Sequence, residues 1–293
     1  MRKLFDMQGN WYKGNLHMHT LNSDGQISDE SAVELYREAG YNFIALTDHW
    51  VQSENHSDDG FLILNGCEFD TGDMICNPIY HIVGVGMESR VPLQRCTSRR
   101  PQQIIDAIRA AKGIAILAHP AWSVTDPKEC LELDGLCGAE IYNTLSGLPW
   151  NGSRADSSIY FDIWATQGKF FRCMAADDSH FYNGEQTRSF IMVKAPELSA
   201  EAIKKALIEG NFYASQGPKF ESVTCDGETV EVRCSNVQTV VFYSNTVWCD
   251  DRVTAGGVNS ASYQIKPTDT YVRIELIDAK GNRAWSSPMT VTG

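Results

Sequence analysis

Short apolar runs recur along the first two thirds of the chain, separated by stretches of helical spacing, and most end at or near a histidine or a carboxylate. Brief runs buried on both faces are what parallel sheets are made of. Strands are expected at 15–19, 42–47, 61–65, 79–85, 113–118, 138–142 and 169–175. One helix opens behind Ser28 as N-cap and stops at Gly40. Another starts at Pro101 and carries Ile104, Ile105 and Ile108 on one face, and a third covers 156–167. Seven strands punctuated by helices favour a parallel β/α barrel over an open sheet, although periodicity alone fits both. A last helix at 199–209 ends on Gly210. From Phe220 onward only short alternating segments remain, at 229–234, 239–244, 262–265 and 271–278. They read as a small all-β sandwich, so the chain divides near Gly217-Pro218 into domains 1–217 and 218–293.

The 293 residues suit one large domain with a small one. Nine cysteines without a C-x-x-C pair suggest a reduced, cytoplasmic compartment. No apolar run approaches the roughly 20 residues of a membrane span, and the N-terminus lacks the apolar stretch of a secretory signal. A net charge of −12 argues against long nucleic acid, whose binding depends on Lys and Arg. It leaves room for a small phosphorylated substrate and sets no oligomeric state.

The histidines narrow the function. His17 and His19, two apart in a strand, point to the same face, and Asp24 follows a polar turn that can fold back to them. Asp48-His49 ends the second strand, Glu68 follows the third, and His81 lies in the fourth. His119 ends the fifth, and Asp178-Ser179-His180 follows the seventh. Six of the seven histidines thus sit on or just after strands, mostly at the end where parallel barrels build active sites. His56 reads as a solvated loop residue. One histidine at a strand end is usually structural, but the set points to a multinuclear metal centre. Nitrogen and carboxylate donors without cysteine suit Zn, Mn or Fe better than Mg or Ca.

These motifs, from Gly14 to His180, resemble the PHP family, named for polymerase and histidinol phosphatase domains. The stretch from Ala206 to Tyr213, leading through Gly217-Pro218 into the β domain, resembles its CehA/McbA-like branch. The resemblance implies a distorted (β/α)7 TIM-like barrel with two or three divalent ions. It maps the metal ligands onto His17, His19, Asp24, His49, Glu68, His81, His119, Asp178 and His180. His17, His19, Glu68 and Asp178 would hold the first ion, and Glu68 would bridge to a second on His81 and His119. Asp24, His49 and His180 would hold the third; Asp24 stands where the family often has His. Glu68, Asp178 and His180 are expected to take part in catalysis. A hydroxide between two ions could attack phosphorus, giving hydrolysis of a phosphomonoester or phosphodiester.

Residues that could orient such a substrate are Trp122 after His119, Asn143 at the end of the sixth strand, and Arg154 and Arg188 in loops on the same face. An arginine fork suits phosphate, although either arginine could be plain surface. Asp177 could be a proton shuttle or a structural carboxylate. The same centre could hydrolyse a carboxyl ester or amide, or act as a short-oligonucleotide exonuclease. A structural metal site with the β domain as a binding module belongs to another class.

Overall fold

The computed structural model describes residues 2–58 and 60–291. In chain order the first elements are β1 (Arg2–Leu4), β2 (Asn10–Asn15), α1 (Asp29–Glu38), β3 (Phe43–Leu46), β4 (His56–Asp58), β5 (Phe61–Thr71) and β6 (Tyr80–Val85). Then come α2 (Pro101–Ala110), β7 (Ile114–Leu117), α3 (Pro127–Leu131), β8 (Leu136–Asn143), α4 (Ser158–Thr166), β9 (Arg172–Ala176), β10 (Phe190–Ala195) and α5 (Ala200–Glu209). The rest is strand: β11 (Phe212–Ser215), β12 (Phe220–Cys225), β13 (Thr229–Tyr243), β14 (Val253–Gln264), β15 (Tyr271–Ile277), β16 (Arg283–Trp285) and β17 (Met289–Thr290).

Local chemistry explains the helix ends. The Ser28 hydroxyl accepts from the Ser31 N–H, and Ser199 accepts from the Ala202 N–H. Gly210 closes α5 in the left-handed conformation, where a side chain would be strained. Strand alternation then sorts the apolar residues into two layers. Phe43, Ala45, Leu62, Leu64, Val83, Val85, Ile114 and Ile116 form one cluster. Ile44, Leu46 and Ile63 face the other way and pack with Ala32 and Tyr36 of α1. Burying each larger side chain stabilises the fold by about 1.5–3 kcal/mol.

The fold is mixed α/β, but the strands do not all run parallel as expected. β2, β3 and β5 pair in parallel, as do β7, β8 and β9, whereas β6 runs antiparallel to both of its neighbours. The reversal begins at Gly66. Up to Asn65, β5 pairs with β3; from Gly66 it pairs with β6. A Cβ on Gly66 would lie 2.6 Å from the Leu46 carbonyl oxygen, so the crossing needs glycine. β5 is consequently longer than expected, and Glu68 lies within it rather than after it.

The ladder also stays open. β9 and β2 are not paired as strands; an isolated bridge, Met18 to Ser179, spans the gap. Its hydrogen bonds, His19 N–H to the Ser179 carbonyl and Asp178 N–H to the His17 carbonyl, are both 2.9 Å. On the outer side β2 pairs with β10, and the sheet continues through β11 and β16 into β15 and β13. The long β13–β14 hairpin pairs with β12 through its first half and with β15 through its second. β1 pairs with β12, so residues 2–4 join this all-β part. No helix among the described residues is long and apolar enough to cross a membrane.

Candidate metal centre

Strand direction decides where the polar residues meet. The ends of β2, β3, β7 and β9 release His17 and His19, His49, His119, and Asp178 and His180 at one end of the sheet. Because β6 runs the other way, its start lies at that same end, and His81 at its second position joins the group. Glu68 projects from the part of β5 that pairs with β6.

All nine residues named from the sequence form one network. His17 Nε2 lies 3.2 Å from Glu68 Oε2 and 3.1 Å from Asp178 Oδ1. His19 Nε2 lies 3.1 and 3.2 Å from the same two oxygens, and the two imidazole nitrogens are 3.3 Å apart. The other Glu68 oxygen, Oε1, faces His81 Nδ1 at 2.9 Å and His119 Nε2 at 3.4 Å. Asp24 Oδ1 is 3.4 Å from both His19 Nδ1 and His180 Nε2, and its Oδ2 is 3.8 Å from His49 Nε2. His49 Nδ1 turns back to Glu68 Oε2 at 3.3 Å, which draws His49 nearer to Glu68 than the sequence reading assigned it.

These spacings suit a metal ion. Five of the six edges among His17 Nε2, His19 Nε2, Glu68 Oε2 and Asp178 Oδ1 measure 3.1–3.3 Å. A regular tetrahedron with such edges has its centre about 2 Å from each corner, the bond length of zinc to nitrogen or oxygen. Two buried atoms of the network, Asp178 Oδ1 and His49 Nδ1, have no hydrogen-bond partner. Orphaned buried polar atoms are costly, and an ion would satisfy both. Without one, protons must compensate the buried carboxylates. Burial alone would lower the His17 pKa, but Asp178, Glu68 and Glu140 raise it well above its ordinary value. Burial likewise opposes the rise of His19 to about 9, which its close contacts with the Asp178 and Glu68 carboxylates bring about. Burial works against ionised Glu68 and Asp178 too, yet the surrounding imidazoles hold both carboxyls below the usual range. His119 and Asp178 also adopt left-handed backbone conformations (φ 27° and 55°). Such conformations cost on the order of 1–3 kcal/mol and persist where surrounding structure enforces them.

The residues behind the donors were less visible in the sequence. Glu140, buried in β8, takes His17 Nδ1 on one oxygen at 2.7 Å. Its other oxygen accepts the His119 N–H and the Asn143 amide, both at 2.8 Å. A carboxylate on the far nitrogen of a ligating histidine fixes its tautomer and orientation. A glutamate inside an otherwise apolar strand was the available signal. Asp48 accepts the Thr20 N–H and hydroxyl and the Ser23 hydroxyl, which pins the turn that carries Asp24. Asp177 is structural in its contacts. Its carboxylate accepts the N–H groups of Thr187, Arg188 and Ser189 and the Tyr36 hydroxyl. Burial still pushes its pKa up to about 6.

The four residues expected to orient a substrate separate. Trp122 lines the metal pocket, a cavity of about 220 Å3, with its ring 4.9 Å from that of His119. Asn143 does not line it. Fully buried, its amide donates to Glu140 and, at 3.1 Å, to Asp178 Oδ2, so it orients ligands rather than substrate. Arg154 lines an adjoining cavity. Arg188 turns to the Gly184 carbonyl and lines neither cavity. His56, exposed in β4, is outside the network. The cysteines are unpaired.

No protein-family model matches the sequence, and no curated protein matches it. Solved structures do. A two-domain protein from Bacteroides vulgatus, containing a predicted PHP-like metal-dependent phosphoesterase, is similar over 98% of this chain and 99% of its own. The TM-score is 0.53 and the identity 16%. The likeness is one of fold, and it spans both chains. Two others match less well, each with a TM-score of 0.41. A candidate metal-dependent phosphoesterase from Bifidobacterium adolescentis has 16% identity over 57% of this chain and 87% of its own. An amidohydrolase from Chromobacterium violaceum, with bound sulfate and no metal, has 14% identity over 59% and 89%.

Proposed function

We propose that this chain is a metal-dependent hydrolase of the PHP type, in its CehA/McbA-like branch, that cleaves a phosphomonoester or phosphodiester of a small substrate. The reading carries with it a distorted barrel over 1–217 and a β-sandwich domain over 218–293. One observation supports it above the rest: four donors spaced as a tetrahedron, with the second oxygen of Glu68 turned to two further imidazoles. Two or three ions of Zn, Mn or Fe are the cofactors. His17, His19, Glu68 and Asp178 would hold one, Glu68 with His81 and His119 a second, and Asp24, His49 and His180 a third.

Bound ions would supply Lewis acidity and lower the pKa of water near them. The chain's own residues supply geometry. Glu140 holds His17 with Nε2 towards Glu68 and Asp178, Asn143 steadies Asp178, and Asp48 fixes the Asp24 turn. Trp122, Leu145 and Asn151 wall the pocket, so a substrate seated there meets little bulk water.

A second reading has an observation of its own. Among the described residues, no lysine or arginine lines the metal pocket, where phosphate would profit from one. A carboxyl-ester or amide substrate has no such need. The test is a hydrolysis screen of the metal-loaded protein on phosphate esters and carboxyl esters side by side. Phosphate release abolished by Glu68→Gln is expected. Turnover of carboxyl esters alone would select the second reading, and metal binding without any turnover would overturn both.

A further inference from the structure

The metal pocket adjoins a second cavity of about 530 Å3, and Trp122 lines both. Their chemistry differs. Imidazoles and carboxylates dominate the first. The second is lined mainly by Met74, Ile75, Pro78, Ile79, Trp122 and Val124, with Cys76, Asn77 and Ser123 among them and Arg154 as the one charged residue. No carboxylate is paired with Arg154 among the described residues.

The outer wall of this cavity holds its apolar side chains outward. Asp73 Oδ1 accepts the N–H groups of Ile75, Cys76 and Asn77 at 2.9, 2.8 and 3.1 Å, and Oδ2 accepts the Asn77 amide at 2.8 Å. The turn therefore satisfies its own backbone and leaves Met74 and Ile75 85% and 89% exposed. Val124, Trp150 and Phe181 are exposed on loops after β7, β8 and β9, at the same end of the fold. The Trp150 and Phe181 rings meet edge to face at 6.4 Å. A single exposed apolar residue needs no explanation, but Met74, Ile75 and Val124 together on one cavity mark a binding surface.

We infer that the second cavity receives the remainder of the substrate: an apolar body, alkyl or aryl, joined to the group that reacts at the metal centre and bearing a second anionic group held by Arg154. The inference rests on the metal pocket being the reacting centre. Trp122 is a wall common to the two cavities, so a substrate reacting in one can extend past it into the other. Mostly apolar walls favour burial of hydrocarbon, whereas a sugar or polyol would find only Asn77, Ser123 and Arg154 as strong hydrogen-bonding side chains. The guanidinium at the edge can take a carboxylate or phosphate through two parallel hydrogen bonds. The substrate class thereby narrows to amphipathic esters in preference to sugar phosphates and polyol phosphates.

The experiment is calorimetric titration of the metal-loaded protein with methylphosphonate, butylphosphonate, and ω-carboxyalkylphosphonates of two to five methylenes. Acetate and pentanoate form a parallel pair that carries no phosphorus. Lengthening methyl to butyl, or acetate to pentanoate, should tighten binding at least about tenfold, since even one methylene in an apolar pocket is worth that much. The gain should disappear in Ile75→Asp, a substitution at an exposed position that folding tolerates. The best carboxyalkylphosphonate should bind more tightly than butylphosphonate and lose that margin in Arg154→Gln. Chain-length ratios near one in both pairs would overturn the inference. So would carboxylates that never improve on butyl, for the Arg154 part. Failure of every phosphonate with binding of pentanoate over acetate would instead count against phosphoester chemistry and support the apolar subsite.

Discussion

Arg273 and the metal centre are both buried charge, but one pairs a cation with anions and the other gathers donors around a common point. Arg273 lies in β15 with 1% exposure, and its fork meets Asp162 of α4 at 2.7 and 2.6 Å. Glu275 lies 3.7 Å from its remaining nitrogen, and Tyr271 donates to Asp162 at 3.0 Å. Beside this junction Trp285 of β16 stacks on Tyr142 of β8, ring centres 5.5 Å apart. Here cation and anion answer one another and tie the C-terminal strands to the first part of the fold. At the metal centre six imidazoles and three carboxylates converge, and the facing nitrogens of His17 and His19 are 3.3 Å apart. A cluster that pairs opposite charges across two elements serves structure. A cluster of convergent donors spaced as a tetrahedron suits an ion.

The comparison is sharpest under substitution. Glu68→Gln should lower ester hydrolysis by about three orders of magnitude, roughly 4 kcal/mol of barrier, with the fold retained by circular dichroism. Arg273→Met should do the reverse. It leaves Asp162 without its cation, and denaturant unfolding should show a loss of about 3 kcal/mol with activity per folded molecule preserved. Should Arg273→Met remove activity without loss of stability, the contrast between the two clusters would fail.

Glu140→Gln probes the boundary between the roles, because it keeps the shape and weakens the hold on His17. Metal affinity or turnover should fall about 10–100-fold, as measured by metal titration. How Glu140 escaped sequence reading is instructive. Residues 138–142 read correctly as a buried strand, and the carboxylate within it has meaning only once His17 is known to lie 2.7 Å away. Histidines at strand ends were legible because ligand type and strand position both show in sequence. Strand direction was read as parallel throughout, because the expected gap of 66–78 leaves room for a crossover; β5 runs on to Thr71, and the 72–79 connection that remains is too short for one, so β6 turns back. The same limit governed the loops. Arg154 and Arg188 look alike in sequence, but one edges a cavity and the other is spent on the Gly184 carbonyl.

The smallest expected effect is in pH. His19, whose ordinary value is 6.5, is raised to about 9, so its share of metal-free stability is complete below pH 6.5 and lost as pH passes 9. Bound metal replaces those protons. The difference in Tm between metal-loaded and chelator-stripped protein should therefore widen from about pH 6.5 to about pH 9. A constant difference would mean that His19 carries no such proton.

The central claim, that the network is a metal centre, is tested most directly by metal analysis of the purified protein beside Glu68→Gln. Two or three divalent ions per wild-type chain, and fewer in Glu68→Gln, is the predicted result. Absence of metal from wild-type protein supplied with Zn, Mn and Fe, or equal metal content in the two proteins, would contradict it.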